Sequence, residues 1–218
     1  MKDVLFSASM MCANYGHLET EIRSLETAGI DSFHVDIMDG HFVHNFAMGL
    51  YELKYICRTA KKNVECHLMI TDPYNYIDTF ADAGVDVVYI HPESEYQPSA
   101  TIEKIQNAGM IPGIAINPGT SVETITELLK IVGRVLVMCV NPGNAGQIYL
   151  PFVHDKICKL LDMQKEYGFE VYWDGHGSVE NIRKYAPLGV RGFVLGSATL
   201  FGKGRGYGEI LSELRNGL

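Results

Sequence analysis

The stretch Ala-Gly-Ile-Asp-Ser-Phe-His-Val-Asp-Ile at residues 28–37 contains the unit from which this chain is built. A helical pattern ends just before Gly29, where a left-handed residue is expected, and a β-branched and aromatic run follows. The same order, with a glycine between a helical pattern and a strand, recurs at Gly84, Gly109 and Gly189. Successive glycines are 55, 25 and 80 residues apart. These spacings approximate two, one and three units of about 27 residues, the length of one βα unit if the chain forms an eight-unit barrel.

Short apolar runs alternate with helical patterns along the whole chain, and each kind occurs eight times. The predicted strands are Val4–Ser9, Ser32–Ile37, Asn63–Met69, Asp86–Ile90, Ile111–Ile116, Arg134–Val140, Glu170–Asp174 and Gly192–Leu195. The predicted helices are Tyr15–Thr27, Leu50–Thr59, Tyr74–Asp82, Ser99–Asn107, Val122–Leu129, Leu150–Tyr167, Val179–Tyr185 and Gly208–Asn216. This order predicts an α/β protein in which a single (β/α)8 TIM barrel, one catalytic domain, spans residues 1–218. A doubly wound sheet alternates similarly, but it usually has fewer strands, and no Gly-x-Gly-x-x-Gly follows the first strand here.

Composition and charge narrow the classes of partner. The net charge is −8 at pH 7, and no basic run is longer than Lys61–Lys62, so we expect neither a nucleic acid nor a membrane as partner. No stretch of the sequence suggests a transmembrane span. The five cysteines form no Cys-x-x-Cys pair and lie in or beside apolar segments, which predicts reduced thiols and a cytoplasmic location.

Four ionisable residues are predicted at the carboxyl ends of strands, where a (β/α)8 barrel carries its chemistry. His34 and Asp36 are two residues apart on one strand and therefore point to the same side, while His67 and Asp174 end two other strands. A hydrogen-bonded His–Asp pair closing the barrel mouth would explain the first two residues, but not all four. Two imidazoles and two carboxylates suit one divalent cation. Zn²⁺ is the first choice, and the ligand types also allow Fe²⁺, Mn²⁺ or Co²⁺.

Glycine-rich turns follow the last three predicted strands. They are Pro142-Gly143-Asn144-Ala145-Gly146, Asp174-Gly175-His176-Gly177 and Leu195-Gly196-Ser197. Each glycine taken singly is most often only a turn residue. On adjacent strands, however, such turns favour a phosphate cradle made of backbone N–H groups, in the place where these barrels commonly bind phosphate.

Three methionines, Met38, Met69 and Met138, also fall near strand ends. Methionine at such positions is commonly a core residue. The functional interpretation is an apolar lining that excludes water from the reacting carbons.

Seven segments of the chain resemble the ribulose-phosphate 3-epimerase family. They are Ser7-Ala8-Ser9-Met10, HVDIMDGHFVHN (34–45), ECHLMITDP (65–73), INPGT (116–120), VMCVNPGNAGQ (137–147), WDGHGS (173–178) and LGSATLF (195–201). The combination of HxDxMDGxF with CHLM is highly specific, and the likeness covers nearly the whole chain. The resemblance implies a barrel of the ribulose-phosphate-binding type and an isomerase of carbohydrate metabolism, acting on a small sugar phosphate of the pentose phosphate pathway.

The resemblance also implies a role for each matching residue. His34, Asp36, His67 and Asp174 would bind one catalytic divalent metal ion, usually zinc. Asp36 and Asp174 would exchange protons with the substrate, inverting C3 of D-ribulose 5-phosphate to give D-xylulose 5-phosphate by 1,1-proton transfer. The implied substrate contacts are Ser9, His67, Met38, Met69 and Met138, and the implied phosphate contacts are Gly143, Asn144, Ala145, Gly146, Gly175, His176, Gly196 and Ser197. We also expect a homo-oligomer.

The chain departs from the family pattern around the substrate rather than at the metal. His44 replaces the usual proline of HFVPN, and Asn144 and Ala145 replace the aromatic residue and one glycine of PGFGGQ. Trp173 stands where the family usually has valine, and His176 replaces the second glycine of DGG. The chemistry is therefore better determined than the identity of the sugar.

Three alternatives remain at this stage. His91-Pro92-Glu93 and the shortened glycine turn resemble the epimerases that act on D-allulose 6-phosphate. The related decarboxylase and hexulose-phosphate synthase group uses an Asp-x-Lys-x-x-Asp array, which is absent here because no lysine follows Asp36 in that pattern. A sugar-phosphate sensor without turnover would not need carboxylates on both faces of a carbon, so the pair Asp36 and Asp174 argues against it.

Overall fold

Eight parallel strands form a closed barrel in the computed structural model, which describes residues 4–218. The strands of the described chain are β1 (Leu5–Ser9), β2 (Ser32–Asp39), β3 (Phe46–Ala47), β4 (Asn63–Met69), β5 (Val87–Ile90), β6 (Ile111–Ile116), β7 (Arg134–Met138), β8 (Glu170–Asp174) and β9 (Gly192–Leu195). Their order is β1-β9-β8-β7-β6-β5-β4-β2, and parallel pairing of β1 with β2 closes the barrel. The two-residue β3 pairs antiparallel with the end of β2 and is not one of the eight. The predicted (β/α)8 architecture is thereby confirmed.

Helices cover the outside of the barrel. Those of the described residues are α1 (Leu18–Ala28), α2 (Leu50–Thr59), α3 (Ile77–Ala83), α4 (Pro98–Asn107), α5 (His154–Tyr167), α6 (Val179–Tyr185) and α7 (Tyr207–Asn216). The glycines of the sequence repeat adopt the expected left-handed conformation, with φ between 82° and 117° at Gly29, Gly84, Gly109 and Gly189. Positive φ is accessible to glycine without a Cβ clash, so these residues end their helical segments before the next strand.

One predicted helix is wrong. The segment Val122–Leu129 forms two short 3₁₀ turns, Val122–Ile125 and Leu128–Lys130, instead of one α-helix. The hydroxyl of Thr124 donates to the carbonyl of Ser121, and that of Thr126 donates to the carbonyl of Val122. Threonine side chains that bond to nearby backbone carbonyls compete with regular helix formation, and β-branched residues lose rotamer freedom in a helix.

The interior of the barrel is apolar at one level and polar above it. Val87, Tyr89, Ala115, Leu136, Tyr172 and Val194 pack together inside the strands. A larger apolar core lies between the strands and the helices, and it includes Phe33 and Val35 of β2. Because side chains alternate along a strand, their neighbours His34 and Asp36 face the barrel interior.

Strand register brings the predicted site residues to one end of the barrel. Asp36 pairs with His67 across β2 and β4, and Ser9 pairs with His34 across β1 and β2. Met138 pairs with Asp174 across β7 and β8. These positions all lie at or near the carboxyl ends of their strands.

No helix among residues 4–218 is both long enough and apolar enough to cross a bilayer.

Candidate functional site

The two histidines and two aspartates predicted from the sequence converge at the carboxyl end of the barrel. One ligand-type atom from each of His34, Asp36, His67 and Asp174 lies within 4.8 Å of all the others. Nδ1 of His67 is 3.1 Å from Asp36 Oδ1 and 3.5 Å from Asp174 Oδ2. Nε2 of His34 is 3.4 Å and 3.8 Å from the same two oxygens. The fold therefore places all four groups around one point.

The four groups fit a divalent cation. His34 is fully buried, yet its Nε2 atom has no hydrogen-bond partner among the described residues, and it points at the carboxylates of Asp36 and Asp174. Ligands about 2 Å from one ion lie roughly 3 to 4 Å from one another, which matches these spacings. Two neutral imidazoles and two carboxylates are the donor set that Zn²⁺ and neighbouring divalent metals bind.

The electrostatics of this cluster favour positive charge at its centre. Burial by itself opposes protonation of His34, but the charge of the neighbouring Asp36 and the hydrogen bond to Glu65 raise its pKa well above the usual value. Burial likewise opposes ionisation of Asp36, but the two imidazoles lower its pKa overall. Burial raises the pKa of Asp174. Two carboxylates in so small a buried volume repel each other, and a cation between them relieves that repulsion.

Each imidazole of the cluster is held by a buried partner behind it. His34 Nδ1 lies 3.2 Å from Glu65 Oε1, and His67 Nε2 lies 2.8 Å from His91 Nε2. Glu65, His67 and His91 are all essentially buried. Hydrogen bonds to the distal nitrogen fix the tautomer and the ring orientation of metal-binding histidines. The arrangement leaves Nε2 of His34 and Nδ1 of His67 facing the cluster.

These outer partners are themselves held in place. Arg134 Nη1 is 3.2 Å from Glu65 Oε2, so the buried glutamate has a cation beside it. On the other side, His91 Nδ1 is 3.6 Å from Glu93 Oε2. Glu93 accepts hydrogen bonds from the backbone N–H of Asn117 and from the hydroxyl of Thr120. Burial by itself raises the pKa of Glu93, but the contact with His91 and the hydrogen bonds from Thr120 and Asn117 outweigh it and lower that pKa to about 2.

A cleft of about 580 Å³, counted out to bulk solvent, opens above the cluster. All of the other residues predicted to contact substrate or phosphate line it, namely Ser9, Met38, Met69, Met138, Gly143, Asn144, Ala145, Gly146, Gly175, His176, Gly196 and Ser197. Asp36 and Asp174 form part of its floor, whereas His34 and His67 lie beneath and do not line it. Ser9 Oγ donates to Asp36 Oδ2 at 3.0 Å.

The glycine-rich turns form one side of this cleft. Gly175 has a φ of 95°, and a Cβ there would lie 2.5 Å from Val140 Cγ2, so this turn requires glycine. His176, at a φ of 48°, donates from Nδ1 to the carbonyl of Gln147 at 2.9 Å. That bond joins the turn after β8 to the segment after β7. The turn after β7 is also held by Asn45, whose Nδ2 donates to the carbonyl of Gly143 at 2.7 Å.

The residues that support the site from behind, Glu65 and His91, were not predicted from the sequence. Glu65 is two residues before His67 on β4, so strand alternation alone would have placed both in the barrel interior. His91 follows β5 directly, at a strand end, and that position was the available signal. No periodicity or motif in the sequence predicted the contacts of Trp173 with the segment after β7.

Comparison with known proteins gives consistent results. Residues 5–200 match the model of the ribulose-phosphate 3 epimerase family. The chain is 37% identical over 205 residues to the ribulose-phosphate 3-epimerase of Methanocaldococcus jannaschii, covering 92% of this chain and 85% of that protein. It is 32% identical over 219 residues to the ribulose-phosphate 3-epimerase of Synechocystis sp., covering 99% of this chain and 94% of that protein.

Among solved structures, the crystal structure of KGPDC from Streptococcus mutans is similar in fold. The TM-score is 0.72, with 12% sequence identity, over 98% of this chain and 96% of that chain. At this identity the likeness concerns the barrel architecture alone.

Proposed function

The chain belongs to the ribulose-phosphate 3-epimerase family, and from that premise we propose that it is a metal-dependent isomerase that inverts C3 of D-ribulose 5-phosphate to give D-xylulose 5-phosphate. The observation that carries this proposal is the convergence of Asp36 and Asp174, on the floor of one cleft, with His34 and His67 beneath it. An epimerisation through proton transfer needs two acid/base groups and a means of stabilising negative charge, and the cluster offers both.

Asp36 and Asp174 are the proposed acid/base pair. They extend from β2 and β8, which are separated in the barrel by β1 and β9, so their carboxylates reach the cleft from different directions. One carboxylate removes the C3 proton, and the other delivers a proton to the opposite face of the same carbon. The roles exchange when the reaction runs backwards. Because the two groups share one buried cluster, their titrations are coupled.

Other residues of the cleft hold the substrate and exclude water. A divalent ion held by His34, Asp36, His67 and Asp174, with Zn²⁺ as our first choice, supplies Lewis-acid stabilisation of the charge that develops on the sugar oxygens. The hydroxyl of Ser9 holds Asp36 in position through its hydrogen bond. The three methionine side chains make the wall around C3 apolar, which strengthens electrostatic interactions there.

The phosphate group is proposed to bind among the glycine-rich turns. Their backbone N–H groups can approach an oxyanion because few side chains intervene. The residues assigned to this cradle are Gly143, Asn144, Ala145, Gly146, Gly175, His176, Gly196 and Ser197.

D-Allulose 6-phosphate is the second candidate substrate. Asn144 and Ala145 line the cleft where the family pattern has an aromatic residue and a glycine, and the loss of the aromatic ring favours a longer sugar. The other feature that suggested this substrate does not support it, because His91 lies behind His67 and does not line the cleft. A sensor without turnover is disfavoured because sugar binding alone needs no carboxylate pair at the reacting carbon.

One experiment tests these alternatives together. Ribulose 5-phosphate and allulose 6-phosphate are assayed side by side on one preparation, and its metal content is measured by elemental analysis. We expect turnover of the five-carbon substrate with kcat/KM well above that of the six-carbon one. Tight binding of either sugar phosphate by metal-replete protein with no turnover would favour the sensor and overturn the proposal.

We further propose that residues 1–218 act as one catalytic domain and that the protein forms a homo-oligomer in the cytoplasm. The single sheet that runs from β1 to β9, with α7 packed against α1, supports the first proposal. Exposed large aromatic residues support the second, namely Phe46, Tyr51 and Tyr96, which are 76%, 89% and 93% exposed. The cytoplasmic location rests on the unpaired cysteines alone.

A further inference from the structure

Trp173 is the only tryptophan of the chain and directly precedes Asp174 on β8. Its side chain is 1% exposed and packs in the apolar core between the barrel and the helices. The indole is therefore on the opposite side of the strand from Asp174, and it does not line the cleft. Besides filling this core position, the indole makes two contacts that connect it to the walls of the cleft.

The indole N–H is bonded to the turn that forms one wall of the cleft. Trp173 Nε1 donates to the carbonyl of Gly175 at 2.7 Å. That carbonyl belongs to the turn in which Gly175, His176 and Gly177 line the cleft. Valine or phenylalanine at position 173 has no donor for this carbonyl.

The indole ring is also stacked on the segment that forms the neighbouring wall. The rings of Trp173 and Tyr149 have centroids 5.2 Å apart and an interplanar angle of 29°. Tyr149 ends the segment whose residues 141–147 line the cleft. Its hydroxyl lies 2.7 Å from that of Tyr185 on α6, which is in turn 2.9 Å from Nδ1 of His154 on α5. Tyr149 is thus held both by the indole and by a polar network from two helices.

From these contacts we infer that Trp173 is a positioning residue for the phosphate cradle, which it fixes from behind by holding the turn at Gly175 and the segment ending at Tyr149 at a set separation. The inference rests on the proposed function, because it assumes that the two walls bind the substrate phosphate. The indole touches neither the reacting carbon nor the metal-binding cluster. Its loss is therefore expected to weaken phosphate binding while leaving the chemistry intact.

The test compares two substitutions at this position with a control in the same aromatic cluster. Trp173→Phe keeps an aromatic ring for Tyr149 but removes the N–H, and Trp173→Val removes both contacts. Phe193→Leu is the matched control, because Phe193 packs on the indole at 6.0 Å and is as deeply buried, but it bonds to neither wall. A general loosening of the core would affect all three variants, whereas loss of cradle positioning affects only the first two.

Measurements on zinc-loaded protein separate binding from chemistry. For Trp173→Phe we expect KM for D-ribulose 5-phosphate and Kd for inorganic phosphate, measured by calorimetry, both to rise about five-fold to ten-fold, the equivalent of one hydrogen bond. The rise is larger for Trp173→Val, and kcat and zinc stoichiometry stay near their wild-type values. The control keeps wild-type KM and Kd even where its thermal stability falls.

Fluorescence provides a readout that does not depend on turnover. Because Trp173 is the sole tryptophan, its emission reports the cradle directly, and we expect the wild-type emission to change on saturation with inorganic phosphate. Tyr149→Leu should abolish most of that change, whereas Phe193→Leu should retain it. If Trp173→Phe binds inorganic phosphate within about two-fold of wild type, or if Phe193→Leu is equally impaired, the inference is overturned. If wild-type protein binds phosphate as expected but epimerises neither sugar, the proposed function fails and the positioning role stands.

Discussion

His67 and His91 meet through their Nε2 atoms at 2.8 Å, with both rings fully buried. Two nitrogens at this distance share one proton. Nδ1 of His91 faces the ionised carboxylate of Glu93 at 3.6 Å, which favours the His91 proton on Nδ1, so Nε2 of His91 is the acceptor and Nε2 of His67 is the donor. Burial lowers the pKa of His91 to about 4, which keeps its lone pair available near neutral pH. His91 thereby fixes the tautomer in which His67 can bind a metal.

Replacement of His91 should therefore weaken metal binding. We expect His91→Leu to lower the Zn²⁺ affinity by about 10-fold to 100-fold, the usual effect of removing a partner of a metal-binding histidine. His91→Gln offers an amide oxygen as acceptor and should recover part of the loss. Affinity is measured by competition with a chelating dye, and His17→Gln, at an exposed position, is the control. Unchanged Zn²⁺ affinity in His91→Leu would show that this contact does not orient His67.

Metal removal should abolish turnover. His34, Asp36, His67 and Asp174 form the only group of this kind found among residues 4–218, so one divalent ion per chain is expected. Chelation followed by dialysis should eliminate epimerisation, and added Zn²⁺ or Mn²⁺ should restore it. Elemental analysis of each sample gives the stoichiometry. Full activity in a sample shown to be metal-free would refute the metal requirement.

Each aspartate of the proposed pair should be essential for the full reaction. Asp36→Asn and Asp174→Asn are each expected to lose epimerisation by several orders of magnitude, because either loss blocks one of two proton transfers. In D₂O each variant keeps one carboxylate and should exchange the C3 proton of only one epimer, a different one in each case. Exchange is followed by NMR after metal occupancy has been confirmed, since the amide also weakens a metal ligand. Deuterium entering the same single epimer in both variants would contradict the two-face assignment.

The segment over the cleft should influence substrate length. Asn144 and Ala145 line the cleft at the place where the family pattern has an aromatic residue and a glycine. We expect a measurable activity on D-allulose 6-phosphate, and we expect Asn144→Phe to lower it more than the activity on D-ribulose 5-phosphate, because the larger ring fills the space for the sixth carbon. The ratio of the two kcat/KM values is the measurement. A six-carbon activity no greater than background in the wild type would show that this segment leaves no usable room.

The buried ion pair beneath the cluster should matter for stability. Glu65 has a 2% exposed side chain and lies 3.2 Å from Arg134, whose guanidinium also stacks over Tyr172 at 4.9 Å. Arg134→Met should lower the free energy of unfolding by about 3 to 5 kcal/mol, because it leaves an uncompensated buried carboxylate. Adding Glu65→Gln removes that charge and should recover part of the loss. Urea unfolding of the single and double variants measures the coupling.

The sequence by itself determined the barrel and the residues at its mouth. Alternation with period two put His34 and Asp36 on the inner face of one strand, and glycines with positive φ marked the ends of helical segments. The rule that strand ends carry the chemistry then selected His67 and Asp174. The structure confirms that these residues converge, because parallel strands in register bring their carboxyl ends to one level.

Only the tertiary structure decided what surrounds that cluster. The contacts of His67 with His91 and of Trp173 with Tyr149 join residues 24 positions apart in the chain, and no local pattern encodes such a pairing. Whether the rings meet depends on strand register and on how the helices pack outside the barrel. The segment at Thr124 and Thr126 was mispredicted for a different, local reason, since threonine hydroxyls bond to backbone carbonyls three and four residues away and compete with the helical pattern. Periodicity fixes which way a side chain points, whereas its partner is fixed by the packing of the whole chain.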